Sequence, residues 1–124
     1  MKAWIPLTLV FAVGLVANAQ ATCSYPQSPA ALPNGATASR DEMVAAKHDF
    51  DRYNGEMNVY LDCLNLELNE APKDSSKLSA DEKKKADQEQ KALVQKHNAA
   101  VDELQAVVGK FNEQLKIFKA KEGK

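Results

Sequence analysis

LVQKHNAAVDELQAVVGKFNEQLKIF, residues 93–118, is the stretch on which the fold turns. Within it Val94, His97, Val101, Leu104, Val108, Phe111, Leu115 and Phe118 recur at strict intervals of three and four, and Leu93, Ala100 and Val107 widen the stripe on one flank. A strand would alternate with period two, so this spacing specifies a helix with a broad apolar face. Ser79-Ala80-Asp81-Glu82 matches a capping box and no proline follows it, which predicts one helix from Ser79 to about Lys121. Such a helix needs a partner.

The partner lies upstream. Met43, Ala46, Phe50, Tyr53, Met57, Tyr60 and Leu64 form a second seam of the same spacing, which passes through Asn54-Gly55 without a phase slip. Gly55 falls on the outer face, where it costs only about 1 kcal/mol relative to Ala. Ser39-Arg40-Asp41-Glu42 caps the start, and Pro72 ends the helix near residue 70. The short polar link 71–78 folds the two helices into an antiparallel hairpin, and a tight turn there makes opposed residue numbers sum to about 150. Phe50 then faces Ala100, Ala46 faces Leu104, and Met43 faces Val107 and Val108. In that register the last turns of the second helix overhang Ser39. The overhang carries Phe111, Leu115, Ile117 and Phe118, a candidate partner surface, beside Lys110, Lys116, Lys119, Lys121 and Lys124. Three occupants compete for it, in this order: the N-terminal arm, a second copy of the chain, and a membrane surface or acidic partner.

The chain has 124 residues, and the first 19 read as a signal peptide. Lys2 gives the positive start, residues 3–16 the apolar run, and Ala19 the cut, with Ala21 as the alternative. About 105 residues remain, enough for one ordinary domain. Without Lys2 they carry 15 Lys and Arg against 17 Asp and Glu, so no basic excess marks nucleic acid as a partner. Residues 20–38, with Pro26, Pro29, Pro33 and Asn34-Gly35, cannot continue a helix and read as an extended arm with a turn at Pro33-Asn34-Gly35.

Two cysteines, Cys23 and Cys63, allow one intramolecular pairing. Cys23 stands near the cut, but Gln20-Ala21-Thr22 does not suit lipoprotein processing, and acylation would leave Cys63 an odd thiol in an oxidising compartment. The reach suffices for a disulfide: the helix rises about 36 Å from Ser39 to Cys63, and the arm spans up to about 50 Å.

Haem-attachment, zinc-hydrolase, phosphate-loop and esterase signatures are absent from the sequence, so the chain reads as a binding or structural module that needs no cofactor. His48 is a solvated surface histidine. His97 is expected opposite Tyr53, whose hydroxyl would satisfy the imidazole. The rival reading is a metal or haem carrier using His97 with Met57 or Tyr53. Lys83-Lys84-Lys85 is flanked by Asp81 and Glu82 and reads as a solvated helix start.

Leu32-Pro33-Asn34-Gly35-Ala36-Thr37-Ala38-Ser39, then Glu42-Met43, and later Tyr60-Leu61-Asp62-Cys63-Leu64, resemble the pattern of a group of small exported proteins of Gram-negative bacteria. The resemblance covers about residues 23–66 and implies a periplasmic or secreted helical protein. It carries over no activity and no catalytic residue. The expected whole is an all-α antiparallel hairpin, with a Pro-rich arm tied back by one disulfide. It would present a rigid helix face to an unknown protein or, by self-association, to its own copy in a four-helix assembly.

Overall fold

The computed structural model describes residues 23–70 and 74–124; the signal peptide expected at 1–19 lies outside them. Two long helices, α1 (Arg40–Glu70) and α2 (Ala80–Glu122), are separated in sequence by a short 3-10 turn at Ser75–Lys77. Among the described residues there is no strand, and no helix is long and apolar enough to cross a membrane.

Both helices begin where their capping boxes place them. The Ser39 Oγ accepts the Glu42 N–H at 3.2 Å while the Glu42 carboxylate accepts the Ser39 N–H at 2.7 Å. Ser79 and Glu82 repeat the exchange at 3.3 and 2.8 Å. The serine N–H groups, which bond the ionised form more strongly than the neutral one, hold both glutamates below the usual carboxylate range. Gly55 is exposed in the middle of α1 with open space around it, so no break occurs there.

The helices are antiparallel, but their register differs from the tight-turn expectation. Phe50 stacks on Phe111 with ring centroids 4.5 Å apart, Arg40 pairs with Glu122 at 2.9 Å, and Met43 is buried with Phe118. Opposed numbers therefore sum to about 161, some three helical turns from the expected value. The reason is the charge on the first three turns of α2. Asp81, Glu82, Lys83, Lys84, Lys85, Asp87, Glu89 and Lys91 are all exposed and offer no apolar face to α1. Instead they pair along their own helix, Asp87 with Lys91 at 2.8 Å and Lys85 with Glu89 at 3.9 Å. Sliding α2 until its apolar span 93–118 lies on the apolar span 43–68 of α1 buries Phe111, Leu115 and Phe118, which the shorter turn would leave wet. The overhang thus falls at the start of α2 and not at its end.

Burial also shows how α2 is turned. Ala100 is fully buried, whereas Val94 is 42% exposed and Val101 and Val108 are half-buried. The inward line of α2 runs through Ala100, Leu104, Val107, Phe111 and Phe118, on the flank that seemed only to widen the seam. α1 buries Met43, Tyr53, Met57, Tyr60 and Leu64, which leaves Ala46 and Phe50 half-buried.

Candidate functional site

The hairpin has two unlike sides, because the disulfide and the hydrogen bonds that tie residues 23–38 to the helices fall on one of them. Cys23 is bonded to Cys63 with Cα atoms 5.7 Å apart, so its sulfur is not available to an acyl chain. The Tyr25 ring meets Tyr60 edge-on at 5.0 Å. Hydrogen bonds converge on Glu103: Tyr25 Oη donates at 2.5 Å, Ser28 Oγ at 2.8 Å and Tyr53 Oη at 3.0 Å. Further along, the Ala30 N–H donates to Asp49 at 3.3 Å, the Gly35 N–H to Gln114 Oε1 at 2.9 Å, and Lys121 Nζ to the Ala38 carbonyl at 2.6 Å.

The Tyr25 hydroxyl, then the Ser28 hydroxyl, hold the Glu103 carboxyl below the usual range, and Tyr53 adds to this. Burial, then the bond to Glu103, raises the Tyr25 phenol and pushes Tyr53 up to about 12. Both directions fix a pH window. A phenol raised above its ordinary value of 10.0 contributes stability that is complete below pH 10.0 and disappears as pH climbs toward about 12. A depressed carboxyl contributes stability present above its ordinary 4.5 and lost as pH falls through the lower folded value. Denaturant midpoints measured against pH should therefore be level between these limits, and Tyr53→Phe should shrink the alkaline fall.

Gly35 sits in a turn in which the Asn34 carbonyl accepts the Thr37 and Ala38 N–H groups at 3.1 and 2.8 Å. Its φ is not positive. What requires glycine is proximity: a Cβ there would lie 2.0 Å from the Gln114 carbonyl oxygen and 2.9 Å from the Phe118 nitrogen. The obstacle is helix backbone, which cannot swing aside. Gly35→Ala should cost about 1–3 kcal/mol, the range of an overpacked contact, by thermal or denaturant unfolding.

Among the described residues, no arm covers the other side of the hairpin. On α1 it presents Phe50, Asn54, Asn58, Leu61, Asn65 and Leu68; on α2 it runs from Gln90 through Val94, His97, Val101, Leu104 and Val108 to Leu115. Helical spacing places these on the flank opposite Cys63, Glu103 and Gln114 in both helices. In a chain that is 27% charged, the strip holds no Lys, Arg, Asp or Glu between Phe50 and Leu68 of α1 or between Gln90 and Leu115 of α2; Lys47, paired with Asp51, borders it one turn before Phe50. Most of its apolar members are half-buried, so the strip is a shallow apolar floor with an amide rim.

The residues singled out from sequence fall on both sides. Phe111 and Phe118 are buried, Leu115 is half-buried, and Ile117 is 38% exposed. They do not form one overhanging patch, because Phe50 covers Phe111, and Met43 and Ala38 pack on Phe118 and Leu115. Tyr53 gives its hydroxyl to Glu103 and not to His97; the longer register carries His97 past it. Met57 is fully buried in the core. Among the described residues the only tight group of His, Cys, Asp and Glu ligand atoms is Cys23, Cys63 and Glu67, and both sulfurs there are spent in the disulfide. His97 belongs to no such group. An open groove of about 530 Å³ lies between Ala31–Ala38 and α1. Its two acids are engaged, Glu42 with Ser39 and Asp49 with Arg52.

Sequence reading missed Glu103 as an anchor. The signal was present: Asp102 and Glu103 are the only charged residues between Lys96 and Lys110, and Glu103 borders the apolar face. No known protein family, curated protein or solved structure matches the chain.

Proposed function

We propose that this protein is an exported, periplasmic or secreted, binding module that presents one side of a stiffened helical hairpin to a protein partner. The supporting observation is the asymmetry of the hairpin. Its Pro-rich arm is a strap, tied by the disulfide and by Glu103, that covers one side, while the side free of it is an apolar floor with an amide rim, uncharged between Phe50 and Leu68 of α1. Loss of charge from the centre of a surface patch, with a polar rim, is the composition of protein interfaces. The disulfide fits a non-reducing compartment, and residues 3–16 fit an export signal.

The test is a photo-crosslinking scan in the native host. A photoreactive residue at Leu61, Val101 or Val108 should give discrete adducts to protein, and the same residue at Val59 or Leu66 on the outer surface should not. Equal yields at all positions, or none at any, would refute the reading.

A further inference from the structure

We infer that the partner on the bare side is a second copy of this chain, seated face to face in an antiparallel four-helix assembly. The inference rests on the reading of that side as the working face. Three properties of the strip favour a copy of itself.

The first is size. From Leu93 to Leu115 the strip is about 33 Å long at 1.5 Å per residue, and two helices 8–10 Å apart make it about 18 Å wide. Two such faces bury about 1,200 Å², the lower bound of a specific, stable interface.

The second is charge. α1 carries 3 basic and 8 acidic residues, and α2 carries 9 basic and 8 acidic. A two-fold axis parallel to the helices lays each α1, at −5, on the partner's α2, at +1, and keeps like helices diagonal. Screening makes this a guide to orientation more than a source of affinity.

The third is level. The same axis keeps every residue at its own height, so numbers summing to about 161 meet across the interface as they do within the hairpin. Asn65 then faces His97 of the partner subunit, and Asn58 faces Gln105 of the partner subunit. Each rim group can find a hydrogen-bonding mate while Leu61, Val101, Leu104 and Val108 close the middle. A lipid surface fits less well, since an interfacial helix borders its apolar face with Lys and Arg along its length, whereas this rim carries Asn54, Asn58, Asn65 and Gln90, with Lys47 at one end paired with Asp51.

Sedimentation of the disulfide-intact protein over concentrations on the order of 1 to 100 μM provides the test. A dimer is expected. Val94→Lys with Val101→Lys should weaken it about a hundredfold or more, because unpaired charge would be buried, with helix content unchanged by circular dichroism. Val59→Lys, at a valine 69% exposed on the outer surface, should leave the dimer intact. If the double variant unfolds, Asn58→Arg on the exposed rim takes its place, with the same expected loss. Monomer at every concentration, or a dimer indifferent to these changes, overturns the inference. The binding-module reading is judged separately: adducts at Leu61 or Val101 to a different protein would uphold it while the dimer fails.

Discussion

Replacing Cys23 and Cys63 by serine is expected to lower stability by about 4 kcal/mol, the chain-entropy value for a closed loop of about forty residues. The two cysteines are 40 positions apart. A two-helix fold has little reserve against such a loss, since a single small core rarely supplies more than about 3–5 kcal/mol net. The change should also be local in character. Without the bond, Tyr25 and Ser28 must hold the strap through Glu103 alone, and the fully buried Tyr53 and Met57 beneath it gain access to water. A lower denaturant midpoint, together with faster hydrogen exchange at the centre of α1, is the expected result. Loss of less than about 1 kcal/mol would show that the strap is held by its other contacts.

Phe111→Ala should cost about 3–5 kcal/mol, as for large aromatic truncations in a core. Phe111 is 3% exposed and stacked on Phe50. The figure separates the two registers cleanly. Were the helices joined by the tightest turn, Phe111 would stand on an overhang and its truncation would fall within about 0.5 kcal/mol, like other surface changes. Ile117→Ala provides the internal comparison. It directly precedes Phe118 and is 38% exposed, so the same equilibrium unfolding measurement should show a clearly smaller loss than at Phe111.

The helices themselves were legible, because capping boxes and spacing are local signals: Ser39 and Ser79 flank the observed starts, and Glu70 and Glu122 end the helices within a residue of expectation. The disulfide was legible too, since two cysteines leave one pairing. The register was misjudged by giving the link priority over the apolar spans. Met43 to Leu68 and Leu93 to Phe118 are of equal length, and matching them end to end gives a sum of about 161 directly. The rotation of α2 was harder to see. Val94, Val101 and Val108 fit a seam as well as Ala100 and Val107 do. Only the strap on the Glu103 and Gln114 flank decides which line turns inward. The glycine at position 35 was read as a turn former, whereas its role is to let two backbones touch. That is a tertiary constraint with no local signature.

These corrections carry the functional reading. In the shorter register the apolar surplus collects at the C-terminal end, among Lys110, Lys116, Lys119 and Lys121. In the observed register the surplus is drawn into the core, and the remaining half-buried residues form one strip along the strap-free side, without charge from Phe50 to Leu68 of α1. The packing of α1 on α2 is therefore the claim from which the open face follows. Side-chain nuclear Overhauser contacts of Phe50 test it most directly. Strong contacts from the Phe50 ring to the Phe111 ring are expected, with the Ala100 methyl in contact with the buried Tyr53, Met57 and Tyr60 cluster. Contacts from Phe50 to the Ala100 methyl, with none to Phe111, would contradict it.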